Sequence, residues 1–251
     1  MIAGHDTNQG PAAMKPVLIL QHLSGDGPAY LARWLHARGV PVDVRDTQAG
    51  QAFPDDLGAH AALAVLGGEM SANDELPSLR QAEQLILEAM AQGKPVIGHC
   101  LGGQLMARAL GQRVTASPRP EVGWQRLQVL DSATARDWFG PAQEAVVFHW
   151  HYEAFERPPQ ARWLARSDAC AQQAFAIGPH LAMQFHIEVD REKVERWSRE
   201  EGPRWADALR DSPQTVQDGA AMRAGIDQHL AAHQRLADRL YGRWLAGVAG
   251  A

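Results

Sequence analysis

Cys100 lies in Gly98-His99-Cys100-Leu101-Gly102, the stretch of the chain richest in chemical possibility. The apolar run Pro95-Val96-Ile97 leads into it, and a helical pattern follows at once. G-x-C-x-G at a strand-to-helix turn has the form of a nucleophile elbow. Its glycines permit a tight turn and close backbone approach. Such a turn presents the sulfur at a helix N-terminus, where free N–H groups and the macrodipole favour thiolate. The Leu101 N–H is then aimed at a developing oxyanion. Taken alone, the motif fits a buried structural cysteine in a glycine-rich turn equally well. A catalytic thiol also needs an imidazole to accept its proton and an acceptor to orient that imidazole. Gln184-Phe185-His186-Ile187-Glu188 supplies both at the end of an apolar run. On a strand, residues i and i+2 share a face, so His186 and Glu188 are expected side by side. An isolated His-x-Glu pair is more often plain surface chemistry.

Other candidate groups are weaker. His149 and His151 flank Trp150, and with His99 they raise the question of a metal. Two histidines without a nearby third ligand or carboxylate are poor support for zinc, so no metal is expected. The loop from Leu23 to Gly27 is too short for a phosphate-binding Walker loop. Cys100 and Cys170 are the chain's 2 cysteines, too few for a disulfide framework, so a reduced, cytoplasmic setting is expected.

The elements that must position these groups follow from periodicity. In the first half, apolar strand-like runs at 16–20, 40–44, 61–66 and 95–98 alternate with helical patterns at 29–38, 78–92 and 101–110. That alternation predicts a wound α/β fold: a mixed, mainly parallel sheet flanked by helices on both faces. In such a sheet strand C-termini share one edge, the usual place for ligands. The second half is different. Short runs at 124–130, 145–150, 162–165, 173–177 and 181–186 are too closely spaced for crossovers and suggest antiparallel pairing. From Asp190 the pattern is helical, and Met222, Ile226, Leu230, Leu236 and Leu240 form a stripe suited to packing on the domain or on a subunit partner. The expected organisation is a catalytic domain over 14–190 with a C-terminal helical extension, 191–251, packed on it. Residues 1–13, ahead of Met14, read as a loose extension or as the product of a misplaced start site.

The chain has 251 residues, of which 45% are hydrophobic and 21% charged, with a net charge of −5. That composition excludes disordered and collagenous chains. The acidic balance gives no general attraction to phosphate backbones, so no nucleic-acid partner is expected. No apolar stretch approaches the roughly 18 residues of a membrane span, and the N-terminus carries no signal-peptide pattern.

Taken together, the motifs resemble the class I glutamine amidotransferases, the triad-type glutaminase domains found in GMP synthetase, carbamoyl-phosphate synthetase and anthranilate synthase. Four segments carry the resemblance, in the family's order: Val65-Leu-Gly-Gly-Glu-Met-Ser71, Gly98 to Gln104, Val147-Phe-His-Trp-His-Tyr152 and Gln184-Phe-His-Ile-Glu188. Glu121-Val-Gly-Trp124 and Asp168-Ala-Cys-Ala-Gln-Gln-Ala-Phe175 support it. The resemblance implies a Cys-His-Glu triad of Cys100, His186 and Glu188, with a γ-glutamyl thioester on the sulfur and release of ammonia. It implies Gly68 and Leu101 as backbone donors to the oxyanion, and Gln104, Trp150 and His151 beside the substrate. Cys170 matches a structural position, and no cofactor is implied. The implied partners are glutamine or another γ-glutamyl amide and a synthetase or ligase that receives the ammonia; a homodimer is compatible with the pattern. Two departures stand out. Ile187 replaces the family's proline between histidine and glutamate, and Glu69 follows Gly67-Gly68 where proline is usual. An inward Glu69 would disfavour an oxyanion or pair with a substrate ammonium; it is expected to face solvent. Two alternatives remain: a stand-alone γ-glutamyl hydrolase of a peptide or polyamine conjugate, and a non-catalytic regulatory module that retains the fold.

Overall fold

The computed structural model describes residues 14–200 and 202–248; the segment 1–13, read as a loose extension, lies outside them. The first half runs β1 (Val17–Gln21), α1 (Ala29–His36), β2 (Val42–Asp46), β3 (Ala62–Val65), α2 (Pro77–Ala91), β4 (Val96–His99) and α3 (Leu101–Ala109). The second runs β5 (Val114–Val129), α4 (Ala133–Phe139), β6 (Glu144–Phe155), β7 (Arg162–Arg166), β8 (Ala174–Ile177) and β9 (His180–Met183), then α5 (Arg191–Trp197), α6 (Pro203–Asp211) and α7 (Gly219–Leu245).

One mixed sheet joins all the strands in the order β2-β1-β3-β4-β9-β8-β7-β5-β6. From β2 to β9 the neighbours are parallel; from β9 to β6 they are antiparallel. Strand residues alternate between two apolar layers. Val17 and Ile19 of β1 face α1, α4 and α7, whereas Leu18 and Leu20 face α2 and α3. Burial on both faces is what a strand between two helical layers requires. The stripe on α7 packs on this chain itself: Met222 and Ile226 join the cluster over β5 and β6, and Leu240 joins the main core. Among the described residues, no helix is long and apolar enough to cross a membrane.

The strand reading of 181–186 is corrected: β9 stops at Met183. Beyond it the chain changes partners. Gln184 N donates to Gln173 O (2.9 Å) and His186 N to Phe148 O (2.8 Å), so the backbone leaves the β4 ladder and is caught by β6. His186 and Glu188 therefore lie on a turn, and strand alternation is not what brings them together. The run read at 124–130 belongs to a longer strand beginning at Val114. Its first half is polar, contains Pro118 and Pro120 and shifts register between Ala116 and Glu121, which hides the strand period.

Candidate active site

β4 and β9 lie side by side and parallel, with His99 opposite Met183, so Cys100 and the turn after Met183 leave the sheet at one edge. Cys100 occupies the N-cap position of α3 at φ 49°, ψ −106°, in the positive-φ region that costs a non-glycine residue strain. Its N–H is held by Met183 O at 2.9 Å, and its Sγ lies 3.6 Å from Trp150 O. Gly102 explains how the turn is tolerated: a Cβ there would meet Val65 O at 2.1 Å, so α3 starts against the end of β3. The sequence expectation of an elbow matches this geometry.

His186 Nδ1 lies 2.7 Å from Glu188 Oε1, and Nε2 has no hydrogen-bond partner among the described residues. His186 is fixed from both sides: Phe148 O accepts its backbone N–H, and its own carbonyl accepts from His233 Nε2 at 3.0 Å. Burial lowers the imidazole's proton affinity, but Glu188 and then Cys100 outweigh it and raise the pKa from 6.5 to about 10. Glu188 is fully buried. Burial pushes its carboxyl up; the Lys193 ammonium, and then His186, hold it well below its usual 4.5. Lys193 Nζ donates to Glu188 Oε1 (3.1 Å) and Gly27 O (3.0 Å), pairs with Asp26 and sits 4.7 Å from the Trp197 ring centre. On the far side, His99 Nε2 is 4.0 Å from Glu188 Oε2, and burial lowers its pKa to about 4.

Cys100 and His186 open into a cavity of about 700 Å³. Gly68, Glu69 and Met70 line it, as do Gln104, Trp150 and Tyr152. Trp197, Pro203, Arg204 and Trp205 line it too. Glu69 is exposed at the rim, as expected. Gln104 gives its amide to Glu153 O at 3.0 Å, and Trp150 stands edge-on to Trp197 at 5.8 Å. His151 contributes to the wall, but its Nδ1 lies 3.2 Å from Glu153 O and its Nε2 3.2 Å from Glu121 Oε2. The N–H groups of Gly68 and Leu101 find no acceptor among the described residues.

A family model described as Glutamine amidotransferase class-I matches residues 29–196. The chain belongs to the class I glutamine amidotransferase family. It is 30% identical over 209 residues to the glutamine amidotransferase-like protein YfeJ of Salmonella typhimurium, a match covering 80% of this chain and 86% of that one. One of the subunits of the glutamine-hydrolysing GMP synthase of Ignicoccus hospitalis is 29% identical over 138 residues, covering 54% of this chain and 71% of the relative. The crystal structure of a glutamine amidotransferase from Methylobacillus flagellatus superposes with a TM-score of 0.85 at 34% identity, covering 94% and 96% of the two chains.

Two features of this amidotransferase escaped the sequence reading. Glu121 supplies the carboxylate that His149 and His151 lacked: the donor atoms of the three buried residues lie within 4.8 Å of one another. The signal is the β5–β6 register, which pairs Glu121 with His151 and Gly123 with His149. A His-His-Glu set is chemically suited to a divalent ion. Here, however, Glu121 Oε2 accepts from Gln173 Nε2 at 2.5 Å and faces His151, so the group closes on itself and braces β5 against β6. The second missed feature is the Asp26–Lys193 pair, 167 positions apart in a chain where neither residue carries a motif. Cys170 is buried and its thiol is pushed up to about 12, which suits a core thiol.

Proposed function

We propose that this amidotransferase hydrolyses the γ-amide of glutamine or a γ-glutamyl conjugate through a thioester on Cys100. The observation carrying the reading is the convergence on one cavity of the elbow thiol and an imidazole whose Nε2 is free and whose Nδ1 is bonded to a buried carboxylate. In this reading His186 Nε2 takes the thiol proton, and the sulfur attacks the γ-carbonyl carbon. Negative charge gathers on the carbonyl oxygen, within reach of the unpaired Gly68 and Leu101 N–H groups. As the C–N bond breaks, His186 returns the proton to nitrogen and ammonia or an amine leaves. Water, deprotonated by His186, then cleaves the thioester to give glutamate and the free thiol. Glu188 keeps the imidazole in the tautomer that this sequence needs. Gln104 and Trp150 would border the glutamyl group. When glutamine is the substrate, the ammonia would pass to a synthetase partner, as the likeness to one of the GMP synthase subunits suggests.

The cavity favours a second reading of the substrate. Its volume falls within the ~300–1,000 Å³ of sites that enclose drug-sized ligands, well above what one glutamine fills. Trp205, Pro203 and Arg204 lie beyond the family match at 29–196 and line the same cavity as Cys100. A γ-glutamyl conjugate with a sizeable amine portion suits that space. The test is hydrolysis of glutamine, γ-glutamyl dipeptides and γ-glutamyl polyamines by wild type and Cys100→Ala. Glutamate release that requires Cys100 is expected. Equal inertness of both proteins toward all three, together with no mass gain at Cys100 from a γ-glutamyl diazoketone, would overturn the reading.

A further inference from the structure

We infer that Lys193 is a positioning residue of this site: its ammonium, paired with both Asp26 and Glu188, fixes the ionised Glu188 carboxylate and, through it, His186. The inference rests on the thioester reading above.

The local fold aims Lys193 at the site. Asp190 caps α5, and its side chain accepts the Lys193 backbone N–H at 3.0 Å. Helical side chains lean toward the N-terminus, so from this first turn the Lys193 chain runs back toward Glu188. Trp197, one turn later, lies beneath the ammonium and also packs edge-on against the His186 ring at 4.9 Å. One short helix thus touches both the imidazole and the group that steadies its carboxylate.

Charge balance gives Lys193 a role beyond packing. Cys100 and His186 exchange one proton between them, so their combined charge does not change. Around them stand two buried carboxylates, Asp26 and Glu188, and the ammonium of Lys193 bonded to both. Among the described residues, the remaining neighbours offer no substitute cation. His99 on β4, His233 on α7 and His22, beside Asp26, are all held neutral by burial, with pKa values of about 4, and Tyr241 on α7 carries no charge. Arg196 on α5 is exposed and spends a guanidinium N–H on Gly25 O at 2.6 Å. Glu200, near Asp26, only adds negative charge. Without the ammonium, a buried carboxylate must take up a proton. The proton on Glu188 would remove the anion that supports the imidazolium.

Iodoacetamide alkylation of Cys100, mapped by mass across pH, reads the thiol–imidazole pair without a known substrate. Wild type is expected to be alkylated faster at neutral pH than a free thiol. In Lys193→Met the acid limb should move up by about one pH unit, roughly tenfold slower reaction on that limb. Asp26→Asn/Lys193→Met, which removes the cation together with its second anion, should fall between the two. Asp26→Asn alone should lower the limb, because the ammonium then serves Glu188 only; this variant decides the matter if Lys193→Met does not fold. A fast wild type with an unmoved limb in Lys193→Met, or an unmoved or raised limb in Asp26→Asn, overturns the positioning role alone. A wild type no faster than a free thiol defeats the thioester reading, and this inference with it.

Discussion

An imidazole sealed against a carboxylate holds its proton more tightly than one in water, and His186 illustrates how much depends on that single contact. Its raised pKa of about 10 is produced by Glu188 and Cys100 against the opposing pull of burial. Replacing Glu188 with Gln keeps the shape but removes the anion. The expected result is a kcat lower by about 10²–10⁴ and an alkaline limb moved toward neutral pH, both visible in a pH–rate profile of the hydrolysis. Stability should follow the same contact. A histidine with a raised folded pKa stabilises below its unfolded value of 6.5 and loses that contribution as pH rises through about 10. Glu188, depressed from 4.5, contributes above that value and loses the contribution as pH falls. Urea denaturation should therefore separate wild type from Glu188→Gln most widely between about pH 4.5 and 6.5, with the gap closing toward pH 10; a gap that widens with pH would contradict this assignment of charges. At this scale the sequence was informative where chemistry is local. Cys100 announced itself through flanking glycines, and His186 and Glu188 through their spacing. Asp26 and Lys193 were silent, and Glu121, though part of a matching segment, gave no sign of its contact with His151, because each acts through a partner distant in sequence and nothing in a single charged residue declares that it will be buried.

At the level of elements, the site exists because two strands from different parts of the chain end together. β4 delivers the thiol and β9 the turn that carries His186, and their parallel pairing is the boundary between the two halves of the sheet. The alternation of strands and helices made the first half legible. The reading of 181–186 as one strand was wrong because apolar content persists through Phe185 and Ile187, both fully buried, after the ladder has ended. Burial without pairing has the same composition as a strand; only the capture of His186 N by Phe148 O distinguishes them. The closest approach in this junction is at Gly102, where a methyl group would strike Val65 O. Backbone cannot rotate out of the way as a side chain can. Gly102→Ala should cost about 1–3 kcal/mol by urea denaturation and slow alkylation of Cys100, since α3 must move off β3 and take the elbow with it. A variant of native stability and reactivity would show that this contact does not set the elbow.

For the whole molecule, the question is whether the residues after the family match are an appendage or part of the body. The match ends at 196, yet α7 contributes Leu240, Tyr241 and Trp244, all fully buried, to the same apolar layer as β1 and β3. Polar ties add to this. Trp124 Nε1 donates to Met222 O at 2.9 Å, Tyr30 Oη to Asp238 at 2.6 Å, and His233 reaches the carbonyl of His186. Removing residues 219–251 would strip one face of the sheet and free one of the two backbone anchors of His186. Burial of large aromatic side chains is worth about 3–5 kcal/mol each on truncation to alanine, so losing two with their neighbours approaches the whole stability of an ordinary domain. The truncated chain is accordingly expected to lack a cooperative thermal transition and to aggregate, with Cys100 reacting like a free thiol. Should it instead melt cooperatively near the full-length temperature with its thiol still activated, the extension would be a separable layer, and the large cavity walled by α6 would have to be explained by the preceding residues alone.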